Sequence, residues 1–110
     1  MRRALPLLLS ISLLSSAACS SSAAPRVAFV LSVAADTLTT SRGLSAGLKE
    51  GNPVAASTSS PVAYQLGASL GLVLLAELIN PSSPKTARAL YWAAAILHGG
   101  AAAWNHKVTP

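Results

Sequence analysis

A carboxylate and three hydroxyls share one helical face early in the chain. Ser32, Asp36, Thr39 and Thr40 stand at i, i+4, i+7 and i+8, spacings that return to the same side of an α-helix. A second polar line, Tyr91, His98 and Asn105, recurs every seven residues, close to two helical turns, so phenol, imidazole and amide also look one way. Both lines lie in apolar sequence. A carboxylate there costs roughly 2.5 to 3.5 kcal/mol on membrane-insertion scales and marks a functional position by default. If Asp36 and His98 meet, each lowers the cost of burying the other, and the pair could hold a cation or a proton. The hydroxyls of Thr39 and Thr40 could equally satisfy Asp36 locally and make it a structural polar lock.

The other acids read differently. Glu77 lies one turn from the end of its apolar stretch, beside Asn80 and near Lys85 and Arg88, where snorkelling and an interfacial ion pair account for it. Glu50 sits in Glu50-Gly51-Asn52-Pro53, a tight-turn composition in which the following proline holds Asn52 extended. Folded back toward Asp36, this loop would join carboxylates, hydroxyls and an amide at a membrane edge. No nucleophile–base arrangement, phosphate-binding glycine loop or metal-ligand spacing is evident, so neither an enzyme nor a cofactor is expected. One histidine and one aspartate leave the usual four-ligand count of a metal site unmet, so no metal is expected either.

The elements that carry these residues must be membrane helices. The 110-residue chain is 52% hydrophobic and only 10% charged, with a mean hydropathy of +0.52, too apolar for an ordinary soluble domain of its size. Its net charge of +5 is scattered over segment ends and is not interleaved with aromatics, which argues against a nucleic-acid partner. Residues 1–24 read as an export signal: Arg2 and Arg3, the apolar run from Leu5 to Leu14, then Ser16-Ala17-Ala18 before Cys19. An uncleaved signal anchor and a lipidated Cys19 are the alternatives. A single cysteine allows no disulfide within the chain.

Three transmembrane helices follow, at about 27–43, 61–79 and 86–104, giving an all-α fold, a small helical membrane bundle occupying residues 25–110. Gly51-Asn52-Pro53 with Ser57 to Pro61 marks one connection, and Asn80-Pro81-Ser82-Ser83-Pro84 a tight second one. With the signal entering first, the Arg42/Lys49 loop and Lys107 lie on the cytoplasmic side, opposite Arg26 and the Lys85/Arg88 turn. The first and last helices then run parallel, with Asp36 and His98 at similar depth. Tyr64, Trp92 and Trp104 suit interface anchors, and His106 and Lys107 a solvated tail. Ala63, Gly67 and Gly71 repeat every four residues, as do Ala95, Gly99 and Ala103. These small-residue faces would pack on each other across the short turn, or on a second copy.

Asp36-x-x-Thr39-Thr40, Gly43-Leu44, Gly47-Leu48 and Glu50-x-Asn52-Pro53 together resemble a group of small bacterial integral membrane proteins of unknown biochemical role. The match spans roughly residues 30 to 55, and Gly51 departs from it where an apolar residue is commoner. The resemblance implies a multi-pass protein of the bacterial cytoplasmic membrane, with Asp36, Glu50 and Asn52 as the positions to probe. The preferred reading is a non-enzymatic component embedded in the lipid bilayer that assembles with itself or a membrane partner through its small-residue faces. The alternative is a proton- or cation-coupled protein using Asp36 and His98.

Overall fold

A computed structural model describes residues 23–110 of the chain. The proposed signal segment and Cys19 lie outside the described residues, apart from the last two positions of that segment. Among those described the regular structure is entirely helical: α1 (Ala24–Ser45), α2 (Pro53–Ala56), α3 (Pro61–Ile79) and α4 (Pro84–Val108).

Proline opens every one of them within the first two positions, where its missing N–H has no helical partner to lose and its fixed φ suits the first turn. This is why α1 and α4 begin before 27 and 86: Pro25 and Pro84 start helices as well as ending the sequences before them. Ser60 caps α3 by accepting from the Ala63 N–H at 3.3 Å. α1 ends on Gly47, whose φ of +87° is the left-handed conformation glycine adopts without a Cβ penalty. Gly47 N–H donates to the Leu44 carbonyl and Leu48 N–H to that of Gly43, both at 3.0 Å, the paired closure of a Schellman motif.

The one-turn helix α2 is absent from the sequence expectation. Glu50-Gly51-Asn52-Pro53 does turn, and Asn52 is extended at φ −82°, ψ 113°. Its side-chain oxygen then accepts from Val54 and Ala55 N–H at 3.0 and 3.4 Å, so the turn caps a helix that the Ser-Thr run soon ends.

α1 and α4 lie side by side and parallel: Phe29 meets Tyr91, Asp36 meets His98 and Thr40 meets Asn105 in rising order. α3 runs against them, with Ser69 beside His98 and Glu77 beside Tyr91. Pro25, Phe29, Asp36 and Gly43 are the buried residues of α1, and Ala87, Tyr91, Ala94, Ala95 and Ala102 those of α4, each a single 3.6-residue stripe. Phe29, Ala76, Ala87, Tyr91, Ala94 and Ala95 close the end of the bundle nearest the α3–α4 turn. Phe29 and Tyr91 pack edge to face with centroids 5.5 Å apart, a favoured aromatic geometry.

The small-residue faces do not pack on each other as expected. Ala63, Gly67 and Gly71 point outward, and a Cβ built on Gly67, Gly71 or Gly99 would meet nothing within 4 Å. α3 instead turns inward Gln65, Ser69, Leu72, Val73 and Ala76, because this stripe carries the groups that complete the contacts of His98 and the apolar plug. Gly43 is the glycine that does permit a close approach, with Thr109 Oγ1 at 3.4 Å from its virtual Cβ.

α3 is the one described helix long and apolar enough by composition to cross a membrane, with a mean hydropathy of 1.7 over its best window.

Candidate functional site

The two polar stripes read from the sequence meet at mid-bundle. Asp36 projects from the inner face of α1 and is 6% exposed. Its Oδ2 lies 2.6 Å from His98 Nδ1. With Asp36 ionised, that contact requires His98 to donate from Nδ1, which fixes where the ring carries its proton. Asp36 Oδ1 accepts from Thr40 Oγ1 and from Asn105 Nδ2, both at 3.3 Å. Asn105 Nδ2 also reaches Thr40 Oγ1 at 3.0 Å and Thr39 Oγ1 at 3.4 Å. Thr39 Oγ1 donates back along α1 to the carbonyl of Ala35 at 2.9 Å. Two of the three hydroxyls of the stripe therefore join the site. The third does not: Ser32 donates to the Phe29 carbonyl at 2.8 Å.

Ser69 was hidden in the sequence by its apolar surroundings. Its Oγ lies 3.4 Å from His98 Nε2 and 2.9 Å from the Gln65 carbonyl, to which it donates. Gln65 and Ser69 stand four apart in an otherwise apolar run, and that spacing was the available signal for an inward face. Asp36, His98 and Ser69 follow the order of an acyl-transfer triad, yet the arrangement does not fit that chemistry. The hydroxyl proton is committed to a carbonyl, the 3.4 Å separation is long for a base–nucleophile contact, and Ser69 is absent from the cavity wall. What the three can accommodate is a proton. A ring protonated at both nitrogens donates from Nδ1 to Asp36 and from Nε2 to Ser69, while Ser69 keeps its bond to Gln65 and every partner is used.

Below this network the helices part around a cavity of about 540 Å³, within the range of small-molecule sites. Asp36, Thr39, Thr40, His98 and Asn105 form its polar side. Leu44, Leu48, Ala55, Ala68 and Ala101 form apolar wall, and Tyr64 and Gln65 enter from α3. Lys49, Glu50, Gly51 and Asn52 bring the loop after α1 into the same wall, so this loop folds back toward the Asp36 cavity. Glu50 is held by its own turn, Oε1 accepting from Asn52 N–H at 2.8 Å. Pro53 is not in the wall; it starts α2. The buried Nε2 of Gln65 has no hydrogen-bond partner among the described residues. The amide could be turned the other way, in which case the orphan would be its oxygen.

Glu77 is ion-paired, but with a different partner from the expected Lys85 and Arg88. Arg26 Nε and Nη2 donate to its two carboxylate oxygens at 2.8 and 3.2 Å, and Tyr91 donates its hydroxyl to Oε1 at 2.7 Å. The antiparallel register of α1 and α3 brings Arg26 there, and its guanidinium also lies over the Tyr91 ring, 5.6 Å from the centroid.

The aromatic residues Tyr64, Trp92 and Trp104 divide. All three are exposed, Trp92 at 43% near the start of α4, Tyr64 at 37% and Trp104 at 63%, and Tyr64 and Trp104 also line the cavity. α4 continues through His106 and Lys107, so these are helical residues, and Lys107 Nζ lies 5.8 Å from the Trp104 ring centroid. Among the described residues no group of three or more His, Cys, Asp or Glu side chains could hold a metal ion.

No protein-family model matches the chain, and neither a curated protein nor a solved structure matches it.

Proposed function

We propose that this chain is a non-enzymatic, three-span integral membrane protein whose working element is the cavity beneath Asp36, a binding site for a small polar ligand reached from the α1–α3 loop side. The observation that carries this reading is the convergence on one cavity of Asp36, His98 and Asn105 with Glu50 and Asn52. The residues of the Asp-Thr-Thr to Glu-x-Asn-Pro stretch, Gly47 and Pro53 excepted, fall on that wall.

The distribution of apolar residues supports three spans. Leu66, Leu70, Leu74, Leu75 and Leu78 on α3, Val30, Leu31 and Leu38 on α1, and Ile96 and Leu97 on α4 are all exposed, while Asp36, His98, Ser69 and Asn105 turn inward. Such an inside-out arrangement suits lipid, where an exposed leucine is solvated and a carboxylate must face protein. α1 and α4 contain 22 and 25 residues, which at about 1.5 Å per residue is enough to cross a hydrocarbon core of about 30 Å. Their lower hydropathy comes from the inward-facing Asp36, Thr39, Thr40, His98 and Asn105 together with exposed charges toward the helix ends, Arg42 on α1 and Lys85, Arg88 and Lys107 on α4. The plug of Phe29, Ala76 and Tyr91 ends the cavity partway, so it serves binding from one side and not a continuous ion path.

A second reading is favoured by two contacts. Asp36 beside His98 Nδ1 and the Ser69 hydroxyl beside Nε2 give each ring nitrogen a polar neighbour, which supports proton-coupled binding at the cavity floor.

Cysteine labelling of the full chain in sealed vesicles, with Cys19 replaced by serine, tests the arrangement. A membrane-impermeant maleimide applied from the loop side should label Tyr64→Cys rapidly and leave Leu74→Cys and Ile96→Cys unlabelled, although both leucine and isoleucine are surface residues. Labelling of all three at similar rates would mean that the outer faces meet water and would remove the membrane reading.

A further inference from the structure

The charge of the cavity wall is opposite to that of the chain. Of three acidic residues in a protein of net charge +5, Asp36 and Glu50 both line the cavity, with Lys49 the one lysine or arginine in its lining and Lys107 over the ring of Trp104 at the rim. Lys49 is exposed, at the rim where water and salt screen it. Asp36 lies on the polar side, where a low dielectric strengthens its field, and Glu50 stands in the loop at the entrance. The remaining wall is mostly apolar, and Tyr64 adds an aromatic ring from α3. Trp104 already carries Lys107 over its ring, an ammonium taken up by an aromatic surface at this same rim. A free inorganic cation would find little to replace its hydration in such walls, whereas an ammonium with an apolar body would find both kinds of partner.

We infer that the cavity takes a small organic cation: an ammonium head directed at Asp36, with Glu50 favouring its entry, and an apolar or aromatic body against Leu44, Leu48 and Tyr64. This rests on the reading of the cavity as a ligand site. The ammonium chemistry could come from a free amine or from the ethanolamine headgroup of a lipid.

Calorimetry on the full chain in phosphatidylglycerol nanodiscs separates these possibilities, with phenylethanolamine as the probe and phenylethylene glycol, its uncharged counterpart, as the control. Saturable binding of the amine at least about tenfold tighter than that of the glycol is expected, with Glu50→Gln weakening the amine roughly three- to tenfold and leaving the glycol unchanged. Adding phosphatidylethanolamine to the nanodiscs assigns the source: weakened amine binding points to the headgroup, unchanged binding to a free amine, and either result upholds the ammonium site. Equal affinity for amine and glycol, or amine binding indifferent to Glu50→Gln, would overturn the cation assignment while keeping the cavity as a ligand site. Failure of both probes to bind would overturn both. Glu50 lies in the loop, so its variant keeps the test decisive even if Asp36→Asn proves unable to fold.

Discussion

The two ends of the bundle each hold an acid, a base and an aromatic residue, and they use them in opposite ways. At the α3–α4 turn, Glu77 and Arg26 pair with side chains 43% and 40% exposed, while Tyr91, Phe29 and the alanines beside them seal the interior. Toward the other end, starting at mid-bundle, the acid is inside, its side chain 9% exposed and that of its His98 partner 20%, and the space beside it is open as a cavity. A pair that water reaches contributes little and costs little to lose. A buried one has no water to fall back on, so each partner depends on the other. The difference teaches that burial, not the presence of an ion pair, separates the structural end of this molecule from the end suited to binding.

Substitutions should reproduce that ranking. Asp36→Ala leaves His98, Thr40 and Asn105 without their common acceptor, and should cost about 3 kcal/mol or more in unfolding from detergent micelles, the scale for breaking a buried pair. Tyr91→Phe keeps the ring against Phe29 and removes only its hydroxyl, so a loss of about 1 kcal/mol or less is expected in the same assay. Glu77→Gln should move the unfolding midpoint less than Asp36→Ala by a wide margin; an equal shift would erase the contrast between the ends. Gly67→Leu should be the mildest, within about 0.5 kcal/mol, since its added side chain meets nothing within 4 Å. If that variant nevertheless changes the size of the protein on a detergent sizing column, the small-residue face of α3 is used between chains.

The sequence made the polar stripes legible because helical periodicity is a local property. Asp36, Thr39 and Thr40 could be placed together from spacing alone, as could Tyr91, His98 and Asn105, and the parallel course of α1 and α4 followed from two intervening reversals. What depends on register across helices was not legible. Arg26 meets Glu77 from 51 residues away, a pairing that local spacing does not contain, and so Lys85 and Arg88 stood in as nearer candidates. The outward turn of Gly67 and Gly71 was misread for a related reason. Alanine-rich helices repeat small residues at four-residue spacing on more than one face, and the face of α3 that turns inward is the one carrying Gln65 and Ser69, whose amide and hydroxyl are the polar groups of its central run. The loop from Glu50 to Pro53 announced a turn, but its role as the cap of α2 and as cavity wall required the fold.

The central claim is that Asp36 and His98 act as one unit at the cavity floor, and a double-mutant cycle tests it most directly. Unfolding free energies of the parent, Asp36→Asn, His98→Ala and the double variant, measured in one lipid–detergent mixture, should give a coupling of roughly 1 to 2 kcal/mol, toward the upper end of hydrogen-bonded pairs inside membranes. Strictly additive losses would show that the 2.6 Å contact couples nothing, and the account of the cavity floor would be contradicted.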